Sequence, residues 1–182
     1  MREDPKAKKS VHEIERIIAQ QVSESVPFEE RENLLKQMER SRQEIETLLS
    51  AVALDREIYP GWTKKELVAH LTGWEDGSLN SVQAMLTGAV PSVPAAQRGP
   101  DHYNEQSVTE RTGLAYEQVF REWVLARQQF ADLIREMTPQ QFVSRLVFPW
   151  GLEGTVSDAL LGLLGHEREH IQQIQEALAG QA

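Results

Sequence analysis

From Thr155 to Leu178 the apolar residues Val156, Leu160, Leu163, Leu164, Ile171, Ile174 and Leu178 recur every three or four positions. That period is one face of an α-helix; a half-buried strand would repeat every two. The same period returns three times upstream. Leu34, Leu35, Met38, Ile45, Leu48 and Leu49 carry a stripe to about Val52, after a start at Pro27-Phe28-Glu29-Glu30, where proline and acids suit a first helical turn. Leu67, Val68, Leu71, Trp74, Leu79, Val82 and Leu86 follow Thr63-Lys64-Lys65-Glu66, a capping box, and run to Gly88. Tyr116, Val119, Phe120, Trp123, Val124, Phe130, Leu133, Ile134 and Met137 mark what reads as the longest helix, closed at Thr138-Pro139. Four amphipathic helices and no convincing strand make an all-α four-helix bundle.

The connectors set the order. Residues 88–103 hold Pro91, Pro94 and Pro100 and make a long loop, and residues 144–154 a second, with room for a short extended piece around Phe148-Pro149-Trp150-Gly151. About sixteen extended residues reach on the order of 50 Å, and a helix of about 25 residues is roughly 37 Å long. The first of these crossover loops can therefore run the length of the bundle and leave the second and third helices parallel. A short helical turn is expected from Asn104 to about Thr112. At the other end, residues 1–9 read as a charged, frayed tail, and Val11, Ile14, Ile17, Ile18 and Val22 as an extra short amphipathic helix that packs on the bundle end or meets a partner subunit. The division is then 1–26 for tail and short helix and 27–182 for the bundle.

The chemistry lies on the last helix. His166-Glu167-Arg168-Glu169-His170 puts two imidazoles four residues apart, on one face and along the edge of the buried stripe. Two neutral imidazoles so spaced form half of a transition-metal site. Histidines facing a core need a partner, and a metal, a carbonyl or a carboxylate can each serve. His70, three past Leu67 and four before Trp74, points inward from the second helix and supplies a third nitrogen. Three imidazoles suit zinc, nickel, iron or cobalt, zinc and nickel first, and leave positions open for water or substrate.

The same residues fit the HExxH pattern of zinc proteases. Only twelve residues follow His170, and they read Gln172-Gln173-Ile174-Gln175 where the extended pattern needs a glycine and a third histidine. The bundle site is the better reading.

Around it, Glu167 and Glu169 flank the histidine face as candidate bases, with a solvated surface as the plain alternative. Glu66 is occupied by its capping box. Trp74, Trp150 and Tyr103 either line a pocket mouth or fill core. His102 lies on the crossover loop, near the metal or simply exposed. Gly73 and Gly77, inside the second helix, imply a close neighbour, a pocket or a kink. Gly162 and Gly165 give room for a substrate or for close helix packing.

Charge narrows the partners. Lys plus Arg is 19 and Asp plus Glu is 28, a net −9, which disfavours nucleic acid and an anionic membrane surface. There is no cysteine, hence no thiolate ligand or nucleophile from the chain. No signal peptide or spanning run is visible, and the expected place is the cytoplasm, with a small-molecule substrate.

Trp62 to Leu71, Trp74-Glu75, Tyr103-Asn104, Trp150-Gly151 and the His166–His170 helix, in this order and spacing over roughly residues 27–180, resemble the DinB/YfiT-like superfamily of metal-dependent hydrolases and thiol S-transferases. The resemblance implies an up-down-down-up bundle, dimeric in many members. It implies a divalent metal held by one histidine of the second helix and two of the fourth, here His70, His166 and His170. It also implies a low-molecular-weight thiol in some branches, among them mycothiol-dependent maleylpyruvate isomerases, with ClbS/DfsB-type proteins as a further branch. The function expected is a metal-dependent hydrolase or thiol transferase that activates water or a thiol. The alternatives are a small-molecule or metal-binding stress protein without turnover, and a structural module whose histidines are core polar groups.

Overall fold

The structure is a computed structural model that describes residues 11–92 and 98–180, with side chains from residue 26 onward. The tail expected to fray, residues 1–9, and the side chains of the expected short helix lie outside the described residues. Six helices and two hairpins follow in order: α1 (Val11–Ala51), β1 (Glu57–Tyr59), β2 (Trp62–Thr63), α2 (Lys64–Thr87), α3 (Pro100–Thr109), α4 (Tyr116–Arg135), α5 (Pro139–Phe142), β3 (Arg145–Val147), β4 (Glu153–Thr155) and α6 (Val156–Ala179).

Buried contacts fix the helix directions. Lys64 Nζ, at the start of α2, donates to Leu49 O at 3.2 Å and Val52 O at 2.6 Å, satisfying carbonyls at the end of α1. The same ammonium lies 4.8 Å from the Tyr116 ring at the start of α4. Arg31, at the middle of α1, donates to Met137 O just past the end of α4. Ser157 meets Glu30, Arg168 reaches Gln37 and Gln175 reaches Glu44, so α6 runs alongside α1 in the same direction. The order is therefore up, down, down, up, with α2 and α4 parallel.

Two expectations need correction. The helix start at Pro27 is absent: α1 runs straight through it for 41 residues. A proline inside a helix forfeits one backbone hydrogen bond and strains the preceding turn, at roughly 3 kcal/mol, yet it does not break a helix favoured on both sides. At about 1.5 Å per residue α1 is about 60 Å long, and it, not the segment from Tyr116, is the longest helix. The connectors also hold strands. β1 pairs antiparallel with β2 across Pro60-Gly61, and β3 with β4 across the Phe148–Leu152 turn. Gly61 and Gly151 take φ of +81° and +87°, the left-handed region those turns require. Each hairpin ends on a threonine that caps the next helix: Thr63 with Glu66, Thr155 with Asp158. The helical turn expected from Asn104 starts earlier, at Pro100, where a proline suits the first position.

α3 lies close against α2, and glycine makes the approach possible. A Cβ on Gly73 would sit 2.1 Å from Ser107 Oγ, and one on Gly77 would sit 2.9 Å from the Tyr103 hydroxyl. Tyr103 Oη closes the contact by donating to Gly73 O at 2.5 Å.

The core divides in two. One cluster gathers Leu34, Met38, Val82, Phe130, Ile134 and Leu160. The other gathers Ile45, Leu49, Leu67, Trp123, Ile171 and Ile174. On three of the four long helices charged and imidazole side chains of the interior gather where the two clusters meet: His70 and Glu75 on α2, Arg127 on α4, and His166, Glu167 and His170 on α6. Side chains of the leucine and phenylalanine class contribute about 1.5–3 kcal/mol each on full burial, so the polar layer is held between two apolar plugs. Among the described residues no helix is long and apolar enough to cross a membrane.

Candidate metal centre

Thr63 sets the start of α2, and seven residues on His70 faces the interior with 4% of its surface exposed. Thr155 sets the start of α6 in the same way, and His166 and His170 follow on one face. The three Nε2 atoms meet: His70 to His166 is 2.8 Å, His70 to His170 is 3.1 Å, and His166 to His170 is 2.9 Å. They form a compact group of metal-capable side chains from two helices.

Burial, and then the neighbouring imidazoles, keep these rings neutral. The His70 pKa falls to about 2 and the His166 pKa to about 4. His170 is lowered by burial as well, partly offset by its bond to Gln173 and by the charge of Glu169. Nδ1–H of His170 donates to Gln173 Oε1 at 2.7 Å, which leaves its Nε2 as a lone pair aimed at the other two rings. Whichever tautomers His70 and His166 take, an N–H···N bond pairs only two of the three nitrogens at a time, and a cation would satisfy all three. Nitrogens at these separations can all lie about 2.0–2.1 Å from one point just outside their plane, the usual metal–imidazole distance. The residues present therefore fit a divalent transition metal.

Aromatic rings wall the site. Trp62, at the end of the first hairpin, meets His70 edge-on with centroids 5.1 Å apart, and Trp74 meets His166 at 6.0 Å. Asn104 Oδ1 accepts from Trp74 Nε1 at 3.0 Å. Trp150, carried on the second hairpin, lies 6.0 Å from Trp74. Trp74, Asn104 and Trp150, with Pro100, Gly162 and Leu163, bound a cavity of about 280 Å³ whose floor is His70 and His166.

The other sequence-derived residues fall as follows. Glu167 is 1% exposed, and its carboxylate is engaged by the Arg127 guanidinium. Glu169 is exposed on the flank of α6. Glu66 accepts from the Thr63 amide and hydroxyl, as its capping box implies. Tyr103 is buried under α2 rather than at the cavity wall, while Trp74 and Trp150 line it. His102 pairs with Arg98 at 3.2 Å and stands outside the histidine group. Gly162 faces Trp150, where a Cβ would make an ordinary contact at 3.4 Å, and a Cβ on Gly165 would meet nothing within 4 Å.

Four features escaped sequence reasoning. Trp62 and Asn104 shape the site, and neither has a spacing signal of its own. Gln173 was within reach, because it lies three residues past His170 on the same helical face. Arg127 also left a trace: it lies four past Trp123 and three before Phe130, inside the apolar stripe, and a buried arginine demands carboxylates. It finds Glu75 Oε1 at 2.5 Å, Glu167, and Met38 O at 3.4 Å.

With the geometry in hand, similarity to known proteins can be set beside it. The family described as the DinB superfamily matches residues 34–174, well over half of the chain. Among solved structures the fold matches a mycothiol-dependent maleylpyruvate isomerase, with TM-score 0.66 and 15% identity over 79% of this chain. A histidine-to-alanine mutant of such an isomerase matches with TM-score 0.66 and 14% identity over 79% of this chain. The chain spans about 60% of the length of each. No curated protein matches the sequence.

Proposed function

The chain belongs to the DinB superfamily, and from that premise we propose that it is a metal-dependent enzyme of hydrolase or thiol-transferase type. His70, His166 and His170 hold a divalent ion, zinc or nickel first. The observation that carries this reading is the meeting of three neutral Nε2 atoms, 2.8–3.1 Å apart, at the floor of an open-mouthed cavity. When bound, the ion supplies a Lewis acid that brings the pKa of a coordinated water or thiol toward neutrality. The chain supplies the rest. Gln173 fixes the tautomer of His170, and the two plugs and the Trp62 and Trp74 rings hold the imidazoles in register. Trp74 and Trp150 exclude water from the bound substrate. Glu169 is exposed and close enough to His170 to favour its charged form, and is the carboxylate free to take a proton. A low-molecular-weight thiol as co-substrate is supported by the fold likeness to isomerases that are mycothiol-dependent.

One observation favours a second reading, binding without turnover: the buried carboxylate beside the ligands, Glu167, is committed to Arg127 and is not free as a base. Cobalt-substituted protein separates the two. Under the enzyme reading, an added thiol gives a sulfur-to-cobalt charge-transfer band, or activated ester substrates turn over with loss on chelation. A bound cobalt ion that neither takes up a thiol nor supports turnover would leave the binding reading.

A further inference from the structure

The cavity above the histidines has a composition that selects its occupant. None of its lining residues is Asp, Glu, Lys or Arg. Its walls are Trp74, Trp150, Leu163, Pro100 and Gly162, with Asn104 as the polar member. Asn104 uses Oδ1 to accept from Trp74, so what it offers a ligand is N–H. A charged group at the wall end, beyond reach of the histidines and of an ion they would hold, would lose its hydration and find no counter-charge among the lining residues, at high cost.

The walls are also braced. Phe148 stacks behind Trp150 at 4.7 Å and 33°. Trp74 is held by Asn104 and by the edge of Tyr103 at 5.1 Å and 83°. Two fixed indoles, 6.0 Å apart and at 57° to each other, touch and form a wedge-shaped corner, where a flat ring can stack on one and meet the other with its edge, at little ordering cost on binding. A dry cavity of about 150 Å³ accepts benzene. At about 280 Å³, this one takes one ring and a short arm.

We propose that the substrate is an uncharged, planar apolar compound of about one ring, joined by a short arm to a single donor group that reaches His70 and His166. This rests on the metal reading above and deepens it: the histidines fix which end of the molecule reacts, and the indole wedge fixes what the other end is.

The test uses the zinc-loaded full chain and five probes in calorimetry: benzohydroxamate, acetohydroxamate, 3-carboxypropanohydroxamate, benzamide and acetamide. Exchanging a methyl group for a buried ring should tighten binding about 30-fold, so benzohydroxamate is expected to lead acetohydroxamate by that factor, with the carboxylate analogue weakest. Trp150→Ala should shrink the preference to about three-fold or less with zinc content unchanged. Should that variant fail to fold, Gly162→Leu narrows the same cavity from α6 and should expel benzohydroxamate while acetohydroxamate still binds. Acetohydroxamate and the carboxylate analogue binding as tightly as benzohydroxamate would overturn the proposal. Hydroxamates binding no better than benzamide, while benzamide still outcompetes acetamide, would instead overturn the metal reading and leave the wedge standing.

Discussion

Two polar clusters share the middle of this bundle, and they are built on opposite principles. Glu75, Arg127 and Glu167 form a charge-paired set: three helices each contribute a charge, all nearly fully buried, and the guanidinium binds Oε1 of both carboxylates, leaving each Oε2 without a partner among the described residues. His70, His166 and His170 form an open set: three neutral bases aimed at one another, with no acid or cation among them. The two are interleaved in sequence, Glu75 five residues past His70 and Glu167 between the two α6 histidines. The first resolves its electrostatics within the chain and so acts as a clamp across α2, α4 and α6. The second is resolved only by something brought from outside. Buried charges that neutralise one another within the chain point to structure, and buried neutral bases that converge without a counter-charge point to a ligand.

Substitutions can break this contrast. The largest effect should come from Arg127→Met, which strands two buried carboxylates and should cost about 3–5 kcal/mol in urea unfolding. His166→Gln in the metal-free protein should shift stability by no more than about 1 kcal/mol, because it removes one of three opposed acceptors. Equal costs for the two variants would make the histidines a closed structural network. Next, zinc at about 100 times its Kd should stabilise the wild type by about 2.7 kcal/mol, read as a rise in the unfolding midpoint, and should leave His166→Gln unmoved. Gln173→Leu should then weaken metal binding about ten-fold in a competition titration with a chromogenic chelator, since His170 loses the acceptor that sets its tautomer.

The smallest effect near neutrality is that of pH. The histidine pKa values are depressed on folding, to about 4 for His166 and about 2 for His70, against about 6.5 in the unfolded chain. Above 6.5 the rings are neutral in both states and their contribution to stability is fully present. As pH falls below 6.5 the unfolded chain takes up protons that the folded chain refuses, and stability declines toward pH 4 and below. Metal-free protein followed by denaturant midpoint from pH 8 to pH 4 should show that loss. His166→Gln should lessen it, leaving the part due to His70 and His170, and a flat wild-type profile would mean that the rings are not buried as described.

Much of the open cluster was legible in the sequence, and little of the charge-paired one. The i, i+4 histidines and the inward position of His70 follow from helical period alone, and the capping boxes at Thr63 and Thr155 fix where both helices begin. The partners of Arg127 do not follow, because they lie 52 and 40 residues away, and periodicity carries no tertiary register. Of the hairpins only a short extended piece around Phe148-Pro149-Trp150-Gly151 was expected, because strands of two or three residues are too short to show an alternation. Pro27 misled because proline at a first turn and proline within a helix leave the same trace in sequence, and only the helical residues on its N-terminal side distinguish them.

Whether the three histidines hold a metal is decided by the metal content of the purified protein. Protein purified without a metal-affinity tag, loaded with zinc or nickel, desalted and measured by elemental mass spectrometry, should carry about one equivalent per chain, and His166→Ala should carry almost none. An empty wild type, or a variant that retains the same metal, would contradict it.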